Sequence, residues 1–132
     1  MHVLKQKWHY RYLSLAKEVS TWSKDPSSQI GAVAVGAKGQ VLAQGYNGFP
    51  RGIQHSAERL NTRELNGVSL DGSTVYVYGL PCCSECAKGL IQVGVDQVIM
   101  PKMPEDTPQI WQDSFELTAE LFKEAKVAWQ FI

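Results

Sequence analysis

The 132-residue sequence has no excess of charge of either sign, because 13 lysine and arginine residues balance 13 aspartate and glutamate residues. A neutral chain lacks the overall field that draws a protein to nucleic acid or to an anionic membrane. No apolar run approaches the roughly 18 residues that a membrane span needs. The first residues, Met-His-Val-Leu-Lys-Gln-Lys-Trp, lack the apolar region of a signal peptide. We therefore expect neither nucleic acid nor a membrane as a partner.

Cysteine is scarce as well. The sequence holds only Cys82, Cys83 and Cys86, of which two are adjacent. Three residues so placed do not form a disulfide framework, and this favours a reduced, cytoplasmic setting. The length suits one domain over residues 1–132 with a core of its own.

Apolar residues at spacings of three and four predict helices, and alternating or continuous apolar residues predict strands. The expected helices cover 4–22, 83–94 and a segment capped by Asp113 or Ser114 that runs to Lys126. The expected strands cover 30–35, 41–46, 75–78, 97–100 and 127–132, and the first two form a hairpin around Ala37-Lys38-Gly39. The later strands alternate with helices, which favours parallel pairing. The fold class is α/β, in three α/β/α layers around a mixed sheet of about five strands.

The same scheme predicts the surroundings of the tryptophan and histidine side chains. The four tryptophans have helical or strand spacings, and we expect them in the core. His2 and His9 lie on or before the first helix, and we expect them to face solvent or a partner.

One region does not fit the scheme. Residues 48–72 contain a single helix candidate, 56–65, whose apolar stripe is thin. A long structureless loop inside a compact domain argues against an assignment. The sheet is therefore short of one covering helix.

The segment Cys83-Ser84-Glu85-Cys86 follows a predicted strand and opens a predicted helix. Two sulfurs at a helix start lie close together, beside unpaired N–H groups and the positive end of the helix dipole. This setting lowers a thiol pKa and favours the thiolate, which binds metal or attacks disulfides. A zinc site and a redox dithiol both fit the spacing. Cys82 is expected to be a buried neighbour.

Three separated motifs resemble the deoxycytidylate (dCMP) deaminases of the zinc-dependent cytidine deaminase superfamily. They are the stretches at 23–32 (Ser-Lys-Asp-Pro-Ser-Ser-Gln-Ile-Gly-Ala), 45–52 (Gly-Tyr-Asn-Gly-Phe-Pro-Arg-Gly) and 83–88 (Cys-Ser-Glu-Cys-Ala-Lys). The resemblance implies that Cys83 and Cys86 bind Zn²⁺ and that Asn47 contacts the nucleotide sugar. It also places Ser28 and Arg51 near the phosphate. Each of these three residues also has an alternative role without a nucleotide: Asn47 as a turn residue, Ser28 as a capping serine, and Arg51 as a solvated side chain.

The zinc deaminases also carry a His-x-Glu, which supplies the third ligand and the proton-carrying carboxylate. This sequence has no His-x-Glu anywhere. The gap falls near Leu65-Asn66, within the region that lacks a helix. We therefore expect that a segment of roughly 15 to 20 residues, the length of a covering helix, is absent from the chain, either omitted or truly deleted. His55 and Glu58 have a spacing one residue too long to replace it, and a loop position is expected for both.

The resemblance implies hydrolytic deamination of dCMP to dUMP, with zinc activating water and a carboxylate carrying protons. It further implies a hexamer of pyrimidine nucleotide metabolism, activated by dCTP and inhibited by dTTP, with Mg²⁺ accompanying the triphosphate. The 132-residue chain itself is expected to be inactive and weak in zinc binding. Three alternatives stay open: a deaminase of another base such as tRNA adenosine, an inactive nucleotide-binding subunit, and a thioredoxin-like oxidoreductase.

Overall fold

The computed structural model describes residues 6–25, 28–47 and 69–132. Three helices and five strands lie within these ranges. In chain order they are α1 (Gln6–Ser20), β1 (Gly31–Val35), β2 (Val41–Tyr46), β3 (Thr74–Tyr78), α2 (Ser84–Gln92), β4 (Gln97–Met100), α3 (Gln109–Ala125) and β5 (Ala128–Phe131). None of these helices is both long and apolar enough to cross a lipid bilayer. The helix candidate at 56–65, His2 and Leu4 fall outside the described residues.

The five strands form one mixed sheet in the order β2-β1-β3-β4-β5. Strand β1 pairs antiparallel with both β2 and β3, whereas β3, β4 and β5 pair in parallel. The parallel part follows from the helical crossovers between consecutive strands. The prediction of a mixed five-stranded sheet that begins with an antiparallel hairpin is confirmed.

Helix α1 covers one face of the sheet. Its buried Ala16 and Val19 pack with Val33, Val35 and Tyr76, which alternate toward this face along β1 and β3. The helix lies close to the start of β1, where a Cβ on residue 31 would collide with the Ala16 carbonyl oxygen and the Ser20 nitrogen. Glycine at position 31 therefore permits this contact.

Helices α2 and α3 cover the opposite face. Leu90 of α2 and Phe122 of α3 belong to one buried cluster with strand residues such as Val75, Val98 and Met100. The sheet thus lies between one helix on one side and two on the other, which confirms the predicted three-layer α/β/α arrangement. This second layer carries all three cysteines.

The start of α3 differs from the prediction. The helix begins at Gln109, with Pro108 at its N-cap and no side-chain cap, rather than at Asp113 or Ser114. The φ angle of proline is fixed by its ring, at −57° here, and this value is compatible with a helix start. The helix can therefore begin at this point without a polar capping side chain. Ser114 is consequently a mid-helix residue, and its hydroxyl has another partner.

The placement of the tryptophans in the core is wrong for three of the four. Trp8, Trp22 and Trp111 are 38%, 46% and 47% exposed, and only Trp129 packs, partly buried, against the core. Trp8 stacks on Tyr12, and Trp22 meets Tyr46 edge to face. These three large rings are therefore partly exposed rather than in the core. Apolar spacing along the sequence does not distinguish such positions from buried ones.

His9 is another correction, because it is buried rather than solvated. Its Nδ1 lies 2.7 Å from the hydroxyl of Tyr76, and the two rings are 5.6 Å apart. Burial lowers the pKa of His9 from its ordinary value. The neutral imidazole is therefore part of the contact between α1 and β3.

The free energy of unfolding is expected to depend on pH through His9. Because the folded pKa is lowered, the unfolded chain binds more protons below the ordinary value of 6.5, so stability falls as the pH drops through that value. One group contributes at most about 1.4 kcal/mol per pH unit. Urea unfolding of the wild type and of His9→Gln, compared on both sides of pH 6.5, measures this contribution. An identical pH dependence in the two proteins would show that His9 does not titrate on unfolding.

Candidate active site

The cysteine segment is held at the end of β3. Gly79 has a φ of 116°, and a side chain there would meet the backbone of Gln29 and Ile30. The chain then reaches Cys83, the N-cap of α2, whose own backbone is extended with φ −76° and ψ 169°. The predicted strand-turn-helix context of the Cys-x-x-Cys pair is thus observed.

Cys83 Sγ and Cys86 Sγ are 3.4 Å apart, and both residues are buried. Two sulfurs bound at ~2.3 Å to one tetrahedral zinc lie about 3.8 Å apart. A small side-chain rotation therefore brings both sulfurs to the separation that one zinc requires. The pair fits the sulfur half of a zinc site.

The remaining donors of such a site are not found in the part of the chain that the structure describes. There, no group of three or more His, Cys, Asp and Glu side chains is arranged to hold a metal. His9 is bound to Tyr76 on the α1 face of the sheet, whereas the thiols belong to the cluster on the opposite face. The described residues therefore fit half of the donor set and not the whole.

The expected low thiol pKa is wrong for Cys86 in this arrangement. Hydrogen bonding with the thiol of Cys82, and then with that of Cys83, raises the pKa of Cys86, and burial raises it further. These contacts outweigh the helix dipole because they favour the neutral S–H form in an apolar surrounding. Cys82 is buried as predicted, but it also affects its neighbour. A bound dication reverses this balance, since a coordinating thiol is deprotonated.

Helix α3 contacts the cysteine segment directly. The backbone N–H of Ser84 donates to Ser114 Oγ at 3.1 Å, and the Ser114 hydroxyl faces Ser84 Oγ at 3.2 Å. Thr118 Oγ1 donates to the carbonyl oxygen of Cys82 at 2.9 Å. Neither contact could be predicted from the sequence, because a serine and a threonine inside a helix carry no pattern that points to another helix.

A cavity of about 630 Å³ lies beside the thiols. This volume is within the usual range for small-molecule sites. Among the described residues, its walls come from β1 and β3, the cysteine segment, the loops before β1 and after β2, and the start of α3 with the loop before it. The residues used below are Ser28, Asn47, Cys83, Cys86, Trp111 and Phe115.

Asn47 and Ser28 both line this cavity, as their predicted roles require. The carboxamide of Asn47 is bound to backbone: Oδ1 accepts from Ile30 N at 2.9 Å, and Nδ2 donates to Ser28 O at 2.9 Å. An asparagine side chain has a second N–H and a second acceptor site, so a ligand contact is compatible with these bonds. The sugar and phosphate contacts of these residues stay predictions.

Several cavity residues were not found from the sequence. Asp25, Asp106, Trp111 and Phe115 line the same space. The last two stack on one face of α3 at 6.4 Å. They are distant in sequence from the cysteine motif and become neighbours only through the packing of α3. Arg51, His55, Glu58 and the junction Leu65-Asn66 lie outside the described residues.

Residues 6–102 match the family model of the cytidine and deoxycytidylate deaminase zinc-binding region. The chain belongs to this family of deaminases. It is 31% identical to an uncharacterised deaminase of Aliivibrio fischeri, over 92% of this chain and 90% of that protein. It is 33% identical to the deoxycytidylate deaminase of Mus musculus, over 94% of this chain and 79% of that protein.

The fold of this deaminase-family chain is also similar to that of the dCMP deaminase from the cyanophage S-TIM5. That structure, in complex with dCMP and dUMP, matches with a TM-score of 0.78 at 22% identity, covering 98% of this chain and 100% of that one. At this identity the likeness concerns the fold alone.

The two relatives have residues that this family member lacks. The match to the Aliivibrio fischeri protein extends over 136 positions and that to the mouse protein over 147. Both numbers exceed the 132 residues of the chain. Each matched region therefore contains positions with no counterpart here.

Proposed function

We propose that this protein catalyses the zinc-dependent hydrolytic deamination of dCMP to dUMP with release of ammonia. Residues 1–132 would form one deaminase domain. The observation that carries the proposal is the buried pair Cys83 and Cys86, 3.4 Å apart beside a cavity of about 630 Å³, in a chain of the deaminase family. Zinc, when bound, supplies the Lewis-acid chemistry that activates water for attack on the base.

We further propose that a segment near Leu65-Asn66 is missing from the 132-residue chain. Three features support this: the sequence has no His-x-Glu, the apolar pattern of residues 48–72 offers only one thin helix candidate, and the matches to relatives are longer than the chain. The missing segment would supply the imidazole ligand and the glutamate. Without it, the chain would hold only the two sulfur ligands.

The residues of this chain would bind and orient the nucleotide. Asn47 would contact the sugar through the part of its carboxamide that the backbone leaves available, and Ser28 and Arg51 would contact the phosphate. Trp111 and Phe115 would form an apolar wall that excludes water from the base.

Deamination assays on protein of natural length, with measured zinc content, test the proposal. Among dCMP, CMP, deoxycytidine and an adenosine-containing tRNA, dCMP should be turned over with the highest kcat/KM. One zinc per chain is expected, which also excludes a thioredoxin-like oxidoreductase. Preference for the tRNA substrate would overturn the assignment of dCMP, although the neutral charge of the chain disfavours that substrate.

The same proposal includes the assembly and regulation that the resemblance implies. The protein would be a cytoplasmic hexamer of pyrimidine nucleotide biosynthesis, activated by dCTP with Mg²⁺ and inhibited by dTTP. Sedimentation with and without each triphosphate measures the assembly, and rate assays with the same effectors measure the regulation.

A second candidate function is a catalytically inactive, nucleotide-binding subunit. The absence of His-x-Glu from all 132 residues favours it directly. If the gene joins Leu65 to Asn66 without interruption, nucleotide binding without turnover is the expected behaviour. The intact mass of the natural protein separates the two candidates, because 14.7 kDa corresponds to the chain without the segment.

Substitution Trp111→Ala is expected to weaken the binding of dCMP to the chain about tenfold, since stacking on a base contributes ~1–3 kcal/mol. Titration calorimetry with dCMP measures the effect. Trp22→Ala is a matched control, because Trp22 is as exposed as Trp111 (46% against 47%) but does not line the cavity. Unchanged affinity in Trp111→Ala would remove this ring from the binding site.

A further inference from the structure

The N-terminus of α2 has no cap of its own. Its N-cap, Cys83, makes no side-chain capping hydrogen bond, although the first N–H groups of a helix need partners. Ser114 of α3 fills this role from another helix, because its Oγ accepts from the N–H of Ser84 at 3.1 Å. The partner lies 30 residues further along the chain.

A second bond from α3 holds the residue on the other side of Cys83. Thr118 is 1% exposed, and its hydroxyl donates to the carbonyl oxygen of Cys82 at 2.9 Å. The carbonyl oxygen of Ser114, at 3.1 Å, is an alternative acceptor within α3. The N–H of Cys82 in turn points to Met100 Sδ at 3.5 Å, at the end of β4. Cys82 is thus fixed between the sheet and α3.

These bonds bracket Cys83, because one anchors the residue before it and the other anchors the residue after it. The peptide groups on both sides of the Cα of Cys83 are therefore fixed, and with them the direction of its Cα–Cβ bond. Cys86 lies one turn into α2, whose first N–H is tied to the same helix. The 3.4 Å separation of the sulfurs depends on this geometry.

We propose that Ser114 and Thr118 are positioning residues that hold Cys83 and Cys86 in a metal-binding arrangement. The inference rests on the proposed function, in which the two thiols bind zinc. Partners that orient metal ligands typically change metal affinity by about 10–100-fold when they are removed. Two hydroxyl groups on one helix would carry that role here, from outside the Cys-x-x-Cys motif.

The test measures zinc affinity by competition with a chelator in Thr118→Val, which keeps the shape of the side chain, and in Ser114→Ala. Each is expected to lose about tenfold in affinity, and Thr118→Ser is expected to recover most of it. Thr21→Val is the matched control, because it removes an exposed threonine hydroxyl bond, from Thr21 to the Glu18 carbonyl, at the end of α1. Melting temperatures of all variants separate lost stability from lost positioning.

A second measurement does not depend on zinc. Phenylarsine oxide condenses with two thiols that lie close together in space, here Cys83 and Cys86. The reaction forms two As–S bonds and releases one water, without any change of oxidation state. Its affinity should fall in Thr118→Val and Ser114→Ala but not in Thr21→Val. If the arsenical shows this pattern while the wild type binds no zinc, the positioning role stands and the proposed zinc site fails.

Three outcomes overturn the proposal. The first is wild-type affinity for zinc and the arsenical in both α3 variants. The second is a wild-type chain that binds neither reagent, which would show that the thiols do not act as a pair. The third is a loss of affinity that parallels the loss of melting temperature to the same degree in Thr21→Val and Thr118→Val. The hydroxyl groups would then contribute only to stability.

Discussion

Insertion of a His-x-Glu helix of roughly 15 to 20 residues between Leu65 and Asn66 is expected to convert the 132-residue chain into an active dCMP deaminase. The insertion would add an imidazole to the two sulfurs that the structure places together, and would add a carboxylate for proton transfer. Positioned acid–base groups contribute about 10²–10⁴-fold to a rate, and the completed metal site adds to this. Ammonia release from dCMP, followed with one equivalent of zinc, measures the gain.

The matched control is the same insertion with glutamine in place of its glutamate. This version should bind zinc as tightly as the active one, yet lose about 10²–10⁴-fold in turnover. If the insertion with intact His-x-Glu folds and binds zinc but releases no ammonia, the gap does not lie where we place it. Folding is checked by comparing the thermal unfolding of both versions with that of the original chain.

In the chain extended by the His-x-Glu insertion, Cys83→Ala and Cys86→Ala are each expected to abolish zinc binding and turnover. Each substitution removes one of the two sulfurs that lie 3.4 Å apart. Losing a direct ligand should cost more than the roughly 10–100-fold that outer partners contribute. Metal content after dialysis and dCMP turnover measure the two effects.

Cys82→Ala provides the comparison for both substitutions. Cys82 is buried beside the same thiols, and its Sγ lies 3.5 Å from the carbonyl oxygen of Cys83. The bonds that hold this segment to Met100 and Thr118 are made by its backbone, and alanine retains them. In the extended chain, zinc content close to that of the unsubstituted protein is expected for Cys82→Ala. If Cys82→Ala loses zinc as completely as Cys83→Ala does, the assignment of the ligand pair is wrong.

The sheet and its helices followed from the sequence because their signals are local. Strand β1 is a continuous apolar run, β3 alternates valine and tyrosine, and Gly94 ends α2 with a φ of 82°. Each pattern reports on neighbours within a few residues. The helical crossovers then determine the parallel part of the sheet.

The errors arose where a local signal was overridden by a contact at long range. His9 has the spacing of a surface residue on an amphipathic helix, but Tyr76, 67 residues later, gives its ring a buried partner. Ser114 has the character of a helix cap, but Pro108 begins α3 earlier and leaves that hydroxyl to bind Ser84. Neither partner can be inferred from the residues nearby.

The residues of the candidate site also fall into those with a local sequence signal and those brought together by long-range packing. Cys83 and Cys86 were found because a Cys-x-x-Cys between a strand and a helix is a spacing with few alternatives. Trp111, Phe115 and Thr118 were not, since they belong to the site only through the docking of α3 against α2 and the sheet. Asn47 reaches the cavity wall as expected, although its carboxamide also stabilises residues 28–30.

The central claim is that the 132-residue chain retains the sulfur half of a deaminase site and lacks the other half. The most direct test is the turnover of dCMP by purified chain of verified mass, 14.7 kDa, with equimolar zinc. We expect no ammonia above the uncatalysed background. Sustained turnover, inhibited by a chelator and restored by zinc, would contradict the claim and show that residues already present complete the site.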